Sequence, residues 1–310
     1  MFPPALTAAL DALLEGVSRK DLAARAAVLS AAYREGRSSG GIAGAADALA
    51  YACARMPATH AVCAAVFARL LEVWPGFAPA TLLDVGAGPG TASWAAQARW
   101  PDVAITMLDA NAALRALAQR LVEAGGIKAE IRAGDLGAAK LPADLVVASY
   151  VLAELPQDRA ALVAADLWRD ARQALVLIEP GTPQGFARIR AARVALIEAG
   201  AHIAAPCTHD NACPMAGDDW CHFSQRLARS RDHMLLKEAN VPFEDERYSY
   251  VVAVRQKLSH GARILAPPAE AKPGLTFKLC DGEGLHAQFV PARDREETRR
   301  VRRMGWGDLF

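Results

Sequence analysis

The sequence predicts an α/β fold in which a parallel sheet is covered by helices on both faces. From residue 81 onward, short apolar segments alternate with segments of helical periodicity, which is the pattern of consecutive βαβ units. One strand-to-helix turn is rich in glycine, as in sheets of this kind that bind a ligand at their carboxyl edge. Before the sheet, residues 1–78 have apolar side chains at helical spacing and no strand-like alternation, which predicts a helical N-terminal region.

The bulk composition restricts the classes of protein that fit. The 310 residues are 53% hydrophobic, enough for a full core, and the net charge of +1 excludes a globally basic nucleic-acid binder. No uninterrupted apolar run approaches the length of about 20 residues that a membrane-spanning helix needs. The N-terminal segment lacks the features of a secretory signal, and its Asp11 and Glu15 disfavour a transit peptide, so we expect a cytoplasmic protein.

The order of elements follows from the same patterns. Turn-forming residues at 37–42 predict a break between N-terminal helices. The predicted strands are 81–86, 104–110, 129–135, 143–150 and 174–180, with crossover helices at 92–99, 111–124 and 158–173. Beyond them we expect a helix at 184–199, a charged helix at 224–240, a strand at 248–254 and a hairpin within 275–290. The predicted organisation is a helical region at 1–78, the sheet core at 79–204, a Cys-rich insertion with a basic helix at 205–240, and C-terminal strands completing the sheet plus a basic tail at 241–310.

The glycine-rich turn indicates the ligand. The first strand runs into Gly86-Ala87-Gly88-Pro89-Gly90, where glycine lets the backbone approach a ligand and the following helix presents free N–H groups. The dinucleotide fingerprint requires glycine where Thr91 stands, which disfavours a nicotinamide dehydrogenase. Gly-x-Gly-x-Gly after Asp84 instead resembles the first motif of class I S-adenosylmethionine-dependent methyltransferases. The predicted fold class is therefore α/β with a class I methyltransferase Rossmann-like sheet, an N-terminal helical region and a Cys-rich metal-binding insertion.

Two aspartates extend this resemblance. Asp109 ends the second strand, where a carboxylate accepts both hydroxyls of a ribose, and Asp135 follows the third strand, where these enzymes contact the adenine amino group. The alternative is a glycine turn with ordinary helix-capping aspartates. The predicted S-adenosylmethionine-binding residues are Asp84, Gly86, Gly88, Gly90, Asp109, Asp135 and Tyr150.

The fourth strand does not identify the reaction. It lacks the Asp/Asn-Pro-Pro-Tyr/Phe motif of enzymes that methylate amines of nucleic acids. Tyr150 is a candidate for stacking on a substrate or on the cofactor, and Glu154 is a candidate base, but both also suit strand-end packing and helix capping. The catalytic base is therefore left open.

Four of the six cysteines predict a metal site. Cys207, Cys213 and Cys221 share one irregular loop, and Cys280 lies at the predicted hairpin. Such cysteines in a reducing compartment indicate zinc or an iron–sulfur cluster rather than disulfides, with His209 and His222 as substitute ligands or supporting donors. The lack of a Cys-x-x-Cys pair weakens the reading as an ordinary zinc ribbon. The alternative is four unlinked buried cysteines, which is how we interpret Cys53 and Cys63.

Longer motifs resemble one protein family. The runs 207–226 and 244–250, together with Glu179-Pro180-Gly181 and Trp306-Gly307-Asp308, are similar to those of methyltransferase-like proteins associated with the small ribosomal subunit, which have mitochondrial and bacterial members. The resemblance implies a 4Fe–4S cluster on Cys207, Cys213, Cys221 and Cys280, with zinc as the alternative. It also implies action on small-subunit ribosomal RNA or in subunit assembly, with the small subunit and its rRNA as partners and neither membrane nor DNA.

Three functions remain open from the sequence. They are an S-adenosylmethionine-dependent methyltransferase, a non-catalytic assembly factor that uses the fold as an RNA-binding platform, and a small-molecule methyltransferase with a structural zinc. Basic residues supply the expected RNA contacts. They are Arg226, Arg229, Arg231 and Lys237 on the predicted charged helix, and Arg293, Arg295, Arg299, Arg300, Arg302 and Arg303 in the tail. The alternative for both groups is a solvated helix face with ordinary Glu–Arg pairing.

Overall fold

The N-terminal region is helical and packs onto the rest of the chain. The structure, a computed structural model, describes residues 2–34, 39–135 and 140–310. Helices α1 (Pro4–Leu14), α2 (Arg19–Arg34) and α3 (Ala45–Val73) precede the sheet. Of the predicted turn at 37–42, residues 37 and 38 lie outside the described residues, and Ser39–Gly41 form a short 3-10 turn. Buried side chains of these helices belong to the same hydrophobic cluster as those of the sheet, so the region shares one core with it.

The central sheet is mixed, and its five parallel strands form the predicted Rossmann-like sheet. Its strands are β1 (Thr81–Val85), β2 (Ala104–Asp109), β3 (Ala129–Ala133), β4 (Ala143–Ser149), β5 (Ala171–Pro180), β6 (His202–Ala205), β7 (Phe223–Ala228) and β8 (Phe243–Val254). The spatial order is β3-β2-β1-β4-β5-β8-β6, and β7 also pairs with β8. The first five strands are parallel, whereas β8 runs antiparallel to β5. This arrangement confirms a class I methyltransferase-like Rossmann fold.

Amphipathic helices connect the parallel strands. They are α4 (Thr91–Arg99), α5 (Ala112–Gly125), α6 (Arg159–Asp170) and α7 (Pro183–Glu198). In α5, the Asn111 side chain caps the amino end by accepting from the N–H groups of Ala113 and Leu114, and Leu114, Leu117 and Leu121 form a buried stripe. Helix α6 ends three residues before the predicted boundary because Ala171 to Gln173 already belong to strand β5.

The predicted charged helix at 224–240 is wrong. Residues 223–228 form strand β7, and only α8 (Arg231–Leu236) is helical. Phe223 is buried, and β7 pairs antiparallel with the first half of β8, so its backbone hydrogen bonds go to a neighbouring strand. Charged side chains lie on both strands of this pair. Pairing with β8 determines the conformation of residues 223–228, although their charges are spaced as in a helix. Residues 205–240 therefore contribute a strand to the central sheet.

The C-terminal strands differ from the expectation that they complete the central sheet. Only β8 joins it, while β9 (Arg263–Ile264), β10 (Ala269–Ala271), β11 (Gly274–Asp281) and β12 (Gly284–Pro291) form a second, antiparallel sheet. The predicted hairpin is present as β11 and β12. Helix α9 (Arg295–Val301) follows, and its Val301 packs into a small core with Phe277 and Val290.

Helix α3 is the most apolar long helix among the described residues. Its length and hydropathy are sufficient to cross a membrane, although half of its most apolar window is buried inside the fold. Met56, Val66, Phe67 and Leu70 are fully buried, and the helix contacts α2, α4 and α5. It therefore packs as the core helix of a globular domain does.

Candidate cofactor site and four-cysteine site

The glycine loop has a backbone that only glycine tolerates well. Gly86, Gly88 and Gly90 have φ angles of 66°, 56° and 86°. A Cβ atom at Gly86 would lie 2.4 Å from Cγ2 of Val151, and one at Gly90 would lie 2.8 Å from Cε of Met107. Gly88 has open space, with its nearest contact at 4.0 Å. The first glycine is therefore required by packing as well as by conformation, the third mainly by conformation because the Met107 side chain is flexible, and the second leaves room beside the loop.

Asp109 holds this loop at the carboxyl end of β2. Its Oδ2 accepts from the N–H of Gly88 at 2.7 Å, and its Oδ1 accepts from the N–H of Asn111 at 2.7 Å. Each carboxylate oxygen has two lone pairs, so one on each remains for a hydroxyl donor. The same side chain that fixes the loop can thus accept the two hydroxyls of a ribose.

Asp84 lies beneath the loop. It is 1% exposed, and its Oδ2 accepts from both the N–H and the hydroxyl of Ser93 in α4, at 3.0 and 2.7 Å. Burial raises the pKa of its carboxyl to about 6, against the effect of the Ser93 hydrogen bonds. Asp84 therefore ties β1 to the start of α4, and a direct contact with a ligand stays a prediction.

Asp135 lies at the same edge of the sheet, exposed, just after β3. The N–H of Gly134 donates to the backbone oxygen of Asp109 at 3.3 Å, which keeps this segment beside the end of β2. The predicted contact of Asp135 with an adenine is therefore compatible with its place in the fold and stays a prediction.

Tyr150 follows β4 in a strained backbone conformation. Its φ is 61°, which is uncommon for a residue other than glycine, and its N–H donates to the oxygen of Ile178 at 2.7 Å. Its hydroxyl donates to Oε1 of Glu246 at 3.4 Å, and Arg55 from α3 donates to the same oxygen at 2.9 Å. Burial and the Glu246 carboxylate raise the Tyr150 pKa well above its ordinary value. Tyr150 is thus half-buried in a polar group that the sequence did not reveal, because Arg55 belongs to no recognisable motif and the family-like run 244–250 does not indicate that its Glu246 faces Tyr150.

Glu179 supports the turn that carries Glu154. Its Oε1 accepts from the N–H of Leu152 at 2.9 Å, and its Oε2 is buried without a partner among the described residues. Because the side chain is fully buried, its pKa is raised to about 8. Glu154 lies half-buried in the 3-10 turn Leu152–Glu154, and its proposed role as a base stays a prediction.

The structure brings all four predicted cysteines to one cavity. Cys207, Cys213, Cys221 and Cys280 border it together with residues of α7 and β8. Burial raises the pKa of each of three of these thiols, that of Cys280 to about 12. Among residues 2–34, 39–135 and 140–310, no group of three or more His, Cys, Asp or Glu side chains is arranged to hold a single metal ion.

The two neighbouring histidines lie in different places. Nε2 of His209 is 3.6 Å from Sγ of Cys280, so this histidine is placed to support the cavity. His222 stacks on Trp220, with ring centroids 4.9 Å apart, and meets Trp306 edge-on. His222 therefore belongs to an aromatic group in the described fold.

The family-like motifs anchor the cysteine loop. The Trp220 indole donates to the oxygen of Gly181 at 3.0 Å, and the Ser249 hydroxyl donates to the oxygen of Cys221 at 2.8 Å. Gly181 has no room for a side chain, since a Cβ there would lie 2.6 Å from the nitrogen of Tyr248. In the C-terminal motif, Asp308 accepts from Arg69 of α3 at 2.7 Å. The cysteine loop is therefore fixed to the carboxyl end of β5.

The predicted basic surfaces differ from each other. Arg226 pairs with Asp245 at 2.7 Å, and both Arg229 and Lys237 contact Glu244, so three of the four side chains in the first group are paired with acidic neighbours. In the tail, Arg300 pairs with Glu297 at 2.9 Å, which agrees with the alternative interpretation of a solvated helix face. The other tail arginines are exposed, and within the described part of the chain they form no ion pair; they are Arg293, Arg295, Arg299, Arg302 and Arg303.

Solved structures similar to this chain include methyltransferases. Magnesium protoporphyrin IX methyltransferase from Synechocystis with bound S-adenosylmethionine aligns with a TM-score of 0.42 at 20% identity, covering 64% of this chain and 79% of that one. Precorrin-6y C5,15-methyltransferase from Geobacter metallireducens aligns with a TM-score of 0.41 at 14% identity, covering 62% and 86%. The strand order β3-β2-β1-β4-β5-β8-β6 defines the fold independently of these alignments.

Curated relatives are mitochondrial proteins. The human ribosome assembly protein METTL17 is 29% identical over 288 residues, which cover 84% of this chain and 62% of the relative. The Rsm22-cox11 tandem protein 2 of Schizosaccharomyces pombe is 27% identical over 181 residues, covering 44% and 24%. The chain thus spans less than two thirds of the length of either relative.

The predicted cytoplasmic location is wrong by this comparison, because both relatives are mitochondrial. The prediction used Asp11 and Glu15, which lie in and beside helix α1. Leu6, Leu10 and Leu14 of that helix are buried in the core. These charges therefore belong to a folded helix and carry no information on targeting.

A sequence model of one family matches most of the chain. It is that of the mitochondrial small ribosomal subunit protein Rsm22, and the match covers residues 45–310. This range includes the glycine loop, the four cysteines that border the cavity, and the C-terminal motif that contacts α3. The chain belongs to the Rsm22 family of small-ribosomal-subunit-associated, methyltransferase-like proteins.

Proposed function

We propose that this protein binds S-adenosylmethionine at the glycine loop and acts in the assembly of the small ribosomal subunit, with the subunit and its rRNA as partners. The observation that carries the cofactor is the carboxylate of Asp109, which holds Gly88 and keeps free lone pairs at the carboxyl edge of the sheet. The proposal that the subunit and its rRNA are partners rests on family membership and on the similarity to the human relative, a ribosome assembly protein.

Each residue of the proposed cofactor site has a distinct part. Gly88 would leave space for the ligand, Asp109 would accept the ribose hydroxyls, and Asp135, exposed just after β3, would accept from the adenine amino group. Asp84 supports the loop from below through Ser93. The cofactor supplies an electrophilic methyl group, and these residues would bind and orient it.

A non-catalytic platform is the second candidate. One observation favours it: beyond β4, the Tyr150 hydroxyl is already engaged with Glu246, and Glu246 with Arg55. A methyl acceptor at Tyr150 would have to displace part of this polar group. An enzyme would need the group to open, whereas a platform would keep it closed.

Transfer of labelled methyl separates the two candidates. The protein is incubated with S-adenosylmethionine carrying a labelled methyl group and with purified precursors of the small subunit. Label in RNA or protein of the particle indicates an enzyme, and cofactor binding without label indicates the platform. A folded protein with no measurable affinity for the cofactor would contradict the proposal itself.

For the four-cysteine cavity we propose an iron–sulfur cluster. Thiolate sulfurs suit iron–sulfur clusters and zinc. A single zinc ion requires its four ligands at about 2.3 Å from one centre. The four cysteines border one cavity, and the lack of a Cys-x-x-Cys pair and the family resemblance support the cluster over zinc. The ligands would be Cys207, Cys213, Cys221 and Cys280, and the cluster would supply one-electron redox chemistry and order the loop.

Metal analysis tests this part. Protein purified without oxygen is expected to be brown and to contain iron and acid-labile sulfide in comparable amounts, because sulfur-to-iron charge transfer absorbs in the visible range. Zinc has a filled d shell and gives no colour. A colourless protein with stoichiometric zinc would contradict the cluster.

We also propose that the tail beginning at α9 contacts RNA through its exposed arginines. Replacing Arg299, Arg302 and Arg303 with Gln should weaken RNA binding and reduce the slope of log affinity against log salt by about 2, at roughly 0.7 per phosphate contact on single strands. Arg226→Gln is the matched control, since Arg226 is already paired with Asp245. An unchanged slope in the triple variant would leave the tail as a solvated helix.

A further inference from the structure

Two buried arginines border the four-cysteine cavity. Arg193 of α7 is 4% exposed, and its Nη2 donates to the backbone oxygen of His209 at 2.7 Å. Arg263 of β9 is fully buried; its Nε donates to the oxygen of Pro206 at 3.1 Å and its Nη1 to Glu72 at 2.7 Å. Arg190, one turn before Arg193, also borders the cavity but is exposed.

Neither buried guanidinium is fully satisfied. Nε of Arg193 and Nη2 of Arg263 have no hydrogen-bond partner among the described residues. An arginine side chain keeps its charge in proteins, and a buried N–H without an acceptor destabilises the fold. Glu72 is the one carboxylate that pairs with these two arginines in the described structure. The cavity wall therefore carries positive charge and unused donors.

Such a wall suits an anionic occupant that accepts hydrogen bonds. Four cysteine thiolates outweigh the charge of the iron–sulfur core they bind, so the assembled centre is an anion, and its sulfurs accept N–H donors. Resting on the cluster proposed above, we propose that Arg193 and Arg263 are positioning residues that offset the charge of this centre and thereby raise its reduction potential.

The direction of the effect follows from charge. Reduction adds one electron to the cluster and breaks no bond, so the reduced form is the more negative one. A nearby guanidinium stabilises it more than the oxidised form, and net charge and hydrogen bonds to the sulfurs are established determinants of cluster potential. Removal of one buried positive charge should therefore make the cluster harder to reduce.

Potentiometric titration of the loaded full-length protein against dithionite, followed by visible absorption, tests this. Arg193→Gln keeps a donor for the His209 carbonyl and removes the charge; we expect its equilibrium constant for reduction to fall about tenfold, equal to about 59 mV for a one-electron couple. Arg193→Lys keeps the charge and should stay within about threefold of the parent protein. Arg120→Gln, which changes an exposed arginine of α5 outside the cavity lining, is the charge-matched control and should cause no comparable shift.

The outcomes separate this inference from the cluster itself. Arg193→Met is a second neutral variant, so a folding failure of one does not end the test. A parent protein without iron and sulfide would contradict the proposed cluster. A brown parent whose neutral variants keep both their iron and their potential, or shift no more than Arg193→Lys, would overturn the role of the arginines. Loss of iron from the neutral variants, with Arg193→Lys still loaded, would support it.

Discussion

The glycine loop and the four-cysteine cavity differ in how complete they are without a ligand. The loop is built from a short stretch of sequence, and its Asp84 and Asp109 carboxylates are already hydrogen-bonded to backbone N–H groups. The cavity gathers residues from 186 to 280, and it leaves donors of Arg193 and Arg263 without partners among the described residues. A site with all its partners keeps its shape when empty, whereas a site with unmet donors depends on what fills it. Loss of the ligand should therefore perturb the cavity more than the loop.

The largest expected effect is on the cavity. Cys280→Ser should abolish the visible absorption and the bound iron of protein purified without oxygen, because Cys280 reaches the loop cysteines only through the hairpin of β11 and β12. Protease cleavage within 207–221 should also become faster. Cys63→Ser is the control, since Cys63 is a buried core residue of α3 away from the cavity. A Cys280→Ser protein with full colour and iron would remove Cys280 from the site.

The loop should instead respond to packing. Gly86→Ala combines a left-handed φ with a Cβ 2.4 Å from Val151, so we expect a loss of about 2–4 kcal/mol in the free energy of unfolding. Gly126→Ala has a similar φ of 73° and nothing within 4 Å, and should lose only about 1–2 kcal/mol. Urea unfolding of both variants measures the difference. Equal losses would mean that the contact with Val151 adds nothing.

The edge of the sheet between the two sites should respond to pH. The folded pKa of Glu179 is about 8 against 4.5 for an ordinary glutamate, so the folded state holds a proton that the unfolded state has released, and stability falls as pH rises through this window. Below pH 6.5 the buried His60, with a pKa lowered to about 4, acts in the opposite direction. Between pH 6.5 and 8 we therefore expect a loss of about 2 kcal/mol.

Glu179→Gln isolates this effect. The amide keeps an acceptor for the Leu152 N–H but does not titrate, so its free energy of unfolding should be flat over the same pH range. Glu123→Gln changes an exposed glutamate of α5 and should keep the slope of the parent protein. If Glu179→Gln leaves the slope as it was, another group causes it.

Elements whose sequence signals lie within one short segment were predicted correctly. The five parallel strands, the helices between them and the β11–β12 hairpin were predicted because apolar periodicity and glycine turns lie within each segment. Strand β7 was missed because its backbone hydrogen bonds are made with β8, which is distant in sequence. Charged residues such as Arg226 occur in both helices and strands, so Arg226 indicates a strand only once its partner Asp245 on β8 is known. Tertiary pairing thus outweighed local spacing at this position.

The sites show the same limit. Gly86, Gly90 and Asp109 were identified from the sequence because one strand–turn–helix unit and the strand after it contain them. The gathering of Cys280 with the loop cysteines was expected from the four cysteines and from the family resemblance. Arg193 and Arg263 carried no signal, since an arginine becomes notable only when the fold buries it. Contacts that join distant segments, such as the ion pair between α3 and β8, likewise exist only once the chain has folded.

The smallest expected effect concerns the glycine loop. It tests whether this site, whose carboxylates are already hydrogen-bonded without a ligand, also binds S-adenosylmethionine. Asp109→Asn keeps one acceptor for Gly88 and loses the charge and one acceptor for the ribose, so we expect the affinity for S-adenosylmethionine to fall by about 1–1.5 kcal/mol, roughly tenfold. Calorimetry measures it, and Asp102→Asn is the control, because Asp102 lies just before β2, at the opposite end of the strand. Thermal unfolding should be nearly unchanged, since the loop stays anchored by the Gly86 N–H to the Leu108 oxygen. A folded Asp109→Asn protein that binds S-adenosylmethionine as tightly as the parent protein would mean that the Asp109 carboxylate only holds the loop in place. Its hydrogen bonds would then have a structural role and no part in binding a ligand.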